Sequence, residues 1–509
     1  MLAVVLSYGL IGIDGYPVRV EVNLSGGLPQ FDLVGLPDAA VKESRERVRT
    51  ALKNSGFAFP DGRLTINLAP ADQKKEGPAF DLPLAVGILT ASGRVPPSQV
   101  EGTAMLGELS LDGTIRPIHG VLPMLISALE QGVGRIIIPQ DNAEEVRCVE
   151  GIEIYPARHL KEVVSHLTGE RPIERLKTVE YRRLLGERVP AVDFRDVKGQ
   201  KSAKRALEIA AAGGHNVLMI GPPGSGKTLM ARCIPTILPD MTFEEALETT
   251  RIHSAAGLLN GGSLLVERPF RTPHHTASSV SLIGGGRQAQ PGEISKAHNG
   301  VLFLDELPEY SRDVLESLRQ PMEDGFVTIT RVSAQSTYPS GIMLVCSMNP
   351  CPCGNYGSRT QTCRCSSGEI RRYLNRVSGP LLDRIDLHIE VESVPPERIA
   401  ENSQEESSAQ IRQRVEKARE VQRARYAGEK ITCNARLDAS SLNRYCVLSD
   451  AARGMLMKAG QSMGLSNRAL TRVLKVSRTI ADLAGSEQIE LPHVAEAVQY
   501  RSLDRKYWG

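Results

Sequence analysis

Gly221-Pro222-Pro223-Gly224-Ser225-Gly226-Lys227-Thr228 decides the reading of this chain. It follows the apolar run His215-Asn216-Val217-Leu218-Met219-Ile220 and leads into Leu229-Met230-Ala231-Arg232-Cys233. The order is strand, glycine loop, helix. The glycines let the backbone wrap a phosphate chain with its N–H groups pointing inward, and the positive end of the following helix faces the same phosphates. Lys227 would reach the β- and γ-phosphates, and the Thr228 hydroxyl would hold Mg²⁺. Residues 221–228 therefore read as a nucleoside triphosphate site.

A second signal lies downstream in Gly300-Val301-Leu302-Phe303-Leu304-Asp305-Glu306. The apolar run predicts a buried strand that delivers two carboxylates at its tip. Asp305 would ligand Mg²⁺, and Glu306 would activate the attacking water. A third run, Ile342 to Met348, ends in Asn349. It predicts another buried strand whose terminal amide would hold the γ-phosphate or the nucleophilic water.

The 509 residues suggest about three domains. Charged residues make up 24% and the net charge is +2, so bulk charge neither demands nor excludes nucleic acid, and any basic surface must be local. Aromatics are only 4%, which argues against extended base-stacking platforms. The N-terminal stretch Met1 to Gly15 is apolar without a basic flank or a small-residue cleavage site, and reads as a first strand and not as a signal peptide. No stretch reaches the ~18 apolar residues a membrane span needs. Nine Cys without a secretion signal fit a reduced, cytoplasmic protein.

Residues 1–170 read as a mixed α/β unit with its own core. Val18 to Leu24 alternates like a half-buried strand, and Leu64 to Leu68 is another. Helical spacing over Asp38 to Asn54 puts Val41, Val48 and Leu52 on one side. Leu82 to Ala91 and Val121 to Glu130 read as helices, and Arg135 to Pro139 as a strand. Leu106 to Ile115 reads as a hairpin turning at Asp112-Gly113. Here the stretches Lys75-Glu76-Gly77-Pro78-Ala79-Phe80-Asp81, Gly107-Glu108-Leu109-Ser110 and Arg116-Pro117-Ile118-His119-Gly120 resemble the proteolytic domain of the Lon family. The resemblance implies a fold shared with ribosomal protein domains and with the N-terminal module of Mg-chelatase-like ATPases. The Ser–Lys dyad of that family would fall at Ala79 and near Leu122. Neither side chain can attack a carbonyl or take a proton, so the resemblance points to a pseudo-protease. Ser110 and His119 are the polar candidates nearby, and both read as turn and strand-end residues.

Residues 171–196 are charged, without a strong apolar period, and read as a linker or an exposed helix. Arg195-Asp196-Val197-Lys198-Gly199-Gln200 then precedes a helix from Ser202 to Ala212. This segment resembles the adenine pocket of AAA+ ATPases, which implies that Val197 and Gly199 line the base. Asn349 likewise resembles the sensor-1 residue of those proteins. Arg384, in Gly379-Pro380-Leu381-Leu382-Asp383-Arg384-Ile385-Asp386, resembles the arginine finger that acts on a neighbouring subunit's site; the competing reading is a salt bridge to Asp383 or Asp386. A finger acting in trans requires a ring. Residues 268–292, with Pro273-His274-His275 and Gly284-Gly285-Gly286-Arg287, and the hairpin Phe326 to Tyr338 read as two insertions. They resemble pore hairpins of helicase-like AAA+ proteins, which makes Arg287 and Arg331 the candidates for nucleic-acid phosphates, against solvated loop arginines. His274 and His275 read as loop anchors or, less simply, as metal ligands.

Cys351-Pro352-Cys353 and Cys363-Arg364-Cys365 form two C-x-C pairs. Four thiolates suit a closed structural Zn²⁺ site, and free or redox-active thiols are the alternative. Ser408 to Gly428 is helical, with Ile411, Val415, Ala418 and Val421 on one face and many basic residues elsewhere, lining a nucleic-acid path or simply solvated. Residues 449–505 read as short helices. Arg468, in Leu465-Ser466-Asn467-Arg468-Ala469-Leu470, matches the sensor-2 position of related lids, with Arg472 as the competing choice.

Along nearly its full length the chain resembles the ComM/YifB family of Mg-chelatase-like AAA+ ATPases. The implied fold class is α/β: a Lon-like, ribosomal-protein-like α+β domain over 1–170, a linker over 171–196, an AAA+ P-loop domain over 197–395 and an all-helical lid over 396–509. The resemblance implies ATP and Mg²⁺ as cofactors and a homo-hexameric motor on single-stranded or branched DNA. Such a motor would move branch points during recombination, with recombination proteins as further partners and no membrane. A metal-insertase subunit and a protein-remodelling motor are the rival classes.

Overall fold

The computed structural model describes residues 1–186, 191–259, 264–286, 289–330, 335–358, 361–394 and 405–508. Its N-terminal part is a seven-stranded mixed sheet, ordered Gln30–Val34, Arg63–Ala69, Asp14–Ser25, Leu2–Ile11, Thr103–Met105, Arg135–Pro139, Glu153–Ala157. Asp14–Ser25 runs antiparallel to both its neighbours, and the remaining pairings are parallel. Helices cover both faces. Asp81–Ala91 is buried along its whole length, which explains its unbroken apolar sequence. Val121–Glu130 packs on the other face with Tyr8, Ile136 and Ile138.

The helix Ala39–Asn54 starts where the spacing predicted it, because the Asp38 carboxylate accepts the Val41 N–H as an N-cap. Its Arg47 reaches across to the fully buried Asp81 with two hydrogen bonds of 2.8 and 3.1 Å, and Leu109 N–H donates to the same carboxylate. A charge buried at the start of Asp81–Ala91 is thereby satisfied on both sides.

The central part is a five-stranded, all-parallel sheet ordered Phe270–Arg271, Val301–Leu304, Met343–Met348, Val217–Ile220, Leu387–Glu390. The three middle strands are buried on both faces, so their continuous apolar runs follow from burial. The antiparallel hairpin Phe326–Thr330 with Gln335–Pro339 stands apart from this sheet. Its Ile329 approaches Gly284, and Tyr338 Oη donates to Ala289 O at 2.8 Å, so the two insertions pack on each other.

The C-terminal part is helical, with Asn467–Leu483 as its longest member after Ser408–Arg425. The arginines of Ser408–Arg425 are largely tied inward. Arg412 pairs with Asp240 and Glu416, Arg414 with Glu208 and Glu406, Arg425 with buried Asp482, and Arg419 donates to Ala211 O. The contacts with Asp240, Glu208 and Ala211 fasten the helical part to the parallel-sheet module, a use of the basic residues that neither sequence reading of this helix anticipated.

Residues 171–186, within the stretch expected as a linker or an exposed helix, lie along the protein surface, with a short helix over Tyr181–Leu185. Leu176 N–H donates to Ile154 O, and Tyr181 Oη donates to Met241 O in the central module. The N-terminal unit also contacts the helix Phe243–Ala255 directly. Glu145 accepts 2.8 and 2.9 Å hydrogen bonds from Asn142 and Ser254, and burial pushes its carboxyl up to about 7. A raised carboxyl pKa means that the folded state holds the proton more tightly than the unfolded chain. Its contribution to stability is therefore greatest at low pH and is lost as pH rises from about 4.5 to about 7. Glu145→Gln should remove that slope and be more stable than wild type at pH 8 by up to about 3 kcal/mol. Thermal-unfolding midpoints at pH 5 and pH 8 test this, and an unchanged slope would refute it.

Candidate functional site

The parallel order places the C-terminal ends of all five strands on one edge, where ligands of open α/β sheets bind. Three of the sequence signals meet there. The loop 221–228 follows Val217–Ile220, Asp305 and Glu306 follow Val301–Leu304, and Asn349 follows Met343–Met348. Gly224 and Gly226 take left-handed φ values of +76° and +88°, and a Cβ at either would meet nothing within 4 Å, so the loop is an open backbone cradle.

Lys227 Nζ lies under this cradle. It donates to Gly221 O and Pro222 O at 2.8 Å each and comes within 3.4 Å of Asn349 Oδ1. Burial lowers its pKa to about 8, against the opposing pull of Asp305 and Glu306. Thr228 Oγ1 donates to Asp305 Oδ2 at 2.9 Å, while Ser347 Oγ and the Glu306 N–H donate to Oδ1. A hydroxyl and a carboxylate on one side of a phosphate cradle are the ligands that a nucleotide-bound Mg²⁺ uses, so Thr228 and Asp305 fit that group. Glu306 is exposed, and its φ of +53° turns it out of the strand direction. Its Oε2 lies 3.7 Å from His275 Nδ1, and the His275 ring packs on His274 at 4.1 Å.

Ser347 and His275 are contributors that the sequence reading did not assign to this edge. Ser347 was legible in principle, since it lies two residues before Asn349 on a strand and hence points to the same face. Of the two adenine candidates, Gly199 lines a cavity of about 450 Å³ with His388, Glu390 and Tyr500, whereas Val197 is buried in the core. Gln200, in the same cavity wall, donates to Glu392 O and approaches Ser225 O at 3.5 Å.

Arg384 and Arg468 both face Glu323. Arg384 is 4% exposed, 2.5 Å from Glu323, and donates to Pro380 O. The competing bridge to Asp383 or Asp386 is not formed: Arg501 takes Asp383, and Arg472 with His215 takes Asp386. That pairing occupies Arg472 on a fully buried carboxylate, whereas Arg468 is exposed, 4.0 Å from Glu323. Arg287 and Arg331 lie outside the described residues.

The four cysteines Cys351, Cys353, Cys363 and Cys365 converge, their sulfurs all within 4.8 Å of one another. Three sulfur pairs are 3.4, 3.7 and 3.6 Å apart, far beyond a disulfide bond. The edge of a thiolate tetrahedron around Zn²⁺ is about 3.8 Å, so the donor set fits such an ion. Backbone N–H groups of Arg364 and Asn355 lower the Cys353 thiol to about 6. The cluster also touches the phosphate loop: Gly354, at φ +81°, leaves room for Pro223, whose Cδ would lie 2.4 Å from an added Cβ. In the N-terminal unit, Ala79 and Leu122 fall in one apolar cluster with Tyr8 and Leu106.

Family models for magnesium chelatase subunit ChlI match residues 193–399 and 20–142, and a model of the ChlI C-terminal region matches 405–501. The chain is 46% identical over 507 residues to the competence protein ComM of Haemophilus influenzae, covering 99% of this chain and 98% of that protein. It is 44% identical over 505 residues to YifB of Salmonella typhimurium, with 99% and 98% covered. The chain belongs to the ComM/YifB family of Mg-chelatase-like AAA+ proteins. Lon protease 2 of Bacillus subtilis is 33% identical over 162 residues, 30% of this chain and 28% of that protein. Among the described residues, no helix of this family member is long and apolar enough to cross a membrane.

Gly354→Ala should push Pro223 into the cradle and weaken nucleoside triphosphate binding about tenfold, roughly 1.4 kcal/mol. Titration with a fluorescent ATP analogue reads this, and unchanged affinity would separate the cysteine loop from the phosphate loop.

Proposed function

We propose that this chain hydrolyses ATP as one subunit of a cytoplasmic homo-hexameric ring motor on DNA. Its work would be helicase or branch-migration activity on single-stranded or branched DNA during recombination. The observation that carries the ATPase half is the convergence of Lys227, Thr228, Asp305, Ser347 and Asn349 on one sheet edge. Lys227 neutralises phosphate charge, and its depressed pKa fits a cation whose partner arrives with the ligand. Glu306, exposed beside the cradle, accepts the proton of the attacking water, and Asn349 orients that water or the γ-phosphate. Bound Mg²⁺, held by Thr228 and Asp305, would spread the charge of the β- and γ-oxygens. Arg384 serves the neighbouring subunit's site and Arg468 senses the γ-phosphate; both must leave Glu323 to do so. The four-cysteine cluster holds structural Zn²⁺ and braces the phosphate loop through Gly354.

Support for the DNA half comes from full-length similarity to a protein named for competence and from the hairpin Phe326–Thr330 with Gln335–Pro339, a separate two-stranded element packed on the 268–292 insertion. Arg287 and Arg331 are the proposed phosphate contacts. The 1–170, 171–196, 197–395 and 396–509 division is the proposed domain plan.

ATP turnover should rise with forked DNA, and the stimulation should weaken steeply with salt. Stimulation by unfolded protein instead of DNA would favour a remodelling motor. Glu306→Gln should keep ATP bound and lower turnover by at least 10²-fold; lost binding would make the carboxylate structural. Mixing Arg384→Ala with Lys227→Ala subunits should restore part of the hydrolysis, because mixed interfaces pair an intact finger with an intact cradle. A folded, reduced protein without zinc on metal analysis would end the zinc assignment.

A further inference from the structure

The helix Arg319–Asp324 ends at Gly325, whose φ of +75° permits the tight exit, and the hairpin strand Phe326–Thr330 begins at the next residue. Glu323, in the last turn of that helix, faces two cations from distant parts of the chain. Its Oε1 is 2.5 Å from Arg384 and 4.0 Å from Arg468. One carboxylate thus joins the segment after Gly379–Leu382, the long C-terminal helix Asn467–Leu483 and the root of the hairpin.

The arrangement is mechanically tight on one side and loose on the other. The hairpin residues Val327, Ile329 and Tyr338 share a core with Leu318, Leu381, Leu382 and Ile385, so a shift of the Arg384 segment is transmitted through close-packed side chains. Glu323 itself is 46% exposed, while the Arg384 side chain is 5% exposed. Arg384 Nε has no hydrogen-bond partner among the described residues, so the guanidinium retains an unused donor for a stronger acceptor. Phosphate oxygens accept charge-assisted, bidentate hydrogen bonds from arginine and can compete with one exposed carboxylate.

We propose that Glu323 is a positioning residue that couples nucleotide state to the hairpin. It holds Arg384 and Arg468 until a triphosphate draws them away, and its release shifts the hairpin root. This rests on the reading of both arginines as phosphate-sensing groups.

Hydrogen exchange of backbone amides in 326–330 and 335–339 tests the link in the full-length protein, with and without a non-hydrolysable ATP analogue. In the wild type the analogue should change exchange there at least threefold. Glu323→Gln should lose that response while keeping its affinity for the analogue within threefold, and Glu323→Asp should retain most of it. A hairpin unresponsive in the wild type would overturn the proposal without any variant having to fold, as would a full response in Glu323→Gln. No recovery in the mixed-subunit experiment would remove the finger reading and this link with it. Recovery there with an unresponsive hairpin would remove the link alone.

Discussion

A desolvated ammonium group sets the terms for the sheet edge that carries the glycine loop. Lys227 is held by two loop carbonyls at the tip of a strand buried on both faces, and burial brings its pKa down to about 8. A cation so placed needs negative charge within reach, and the ends of the strands Val301–Leu304 and Met343–Met348 supply groups suited to that charge or to its ligand. Asp305 takes up Thr228 and Ser347, and Asn349 approaches the ammonium itself. The all-parallel order makes this possible, because only parallel strands deliver all their C-terminal ends to one edge.

The same edge is braced from outside. Gly354 lets the cysteine loop press on Pro223, and the C-terminal helix Ser502–Trp508 anchors the next strand through Lys506 and Tyr507 on Glu390. Behind it, Asp386 is fully buried and kept strongly acidic by Arg472 and His215 despite its desolvation. Removing Arg472 would leave a buried carboxylate without its cation. The C-terminal helical part is therefore keyed to the module at the segment that carries Arg384, which places any movement of that part next to the proposed finger.

The N-terminal unit resembles Lon protease in sequence over 162 residues. Ala79 and Leu122 occupy a hydrophobic cluster, and the buried charged side chains Lys75, Asp81 and Glu145 are spent on internal and inter-unit hydrogen bonds. The contacts of Glu145 with Ser254 and of Tyr181 with Met241 seat this unit on the helix that follows the phosphate-loop helix.

The sequence by itself determined the elements whose signal is local. Continuous apolar runs named the three central strands, helical spacing named Ala39–Asn54, and the glycines of 221–226 named the loop between strand and helix. Short or weakly patterned elements such as Gln30–Val34 and Glu153–Ala157 escaped, because their strand character comes from neighbours in the sheet. Only the tertiary structure decided what the charged side chains face. It gave Arg472 to Asp386 and left Arg468 exposed, turned Arg384 onto Glu323, set His275 against Glu306, and gathered two C-x-C pairs into one cluster against Pro223. The physical reason is range: backbone conformation follows from residues a few positions apart, whereas an ion pair or a ligand set depends on which segments the packed core brings within about 4 Å.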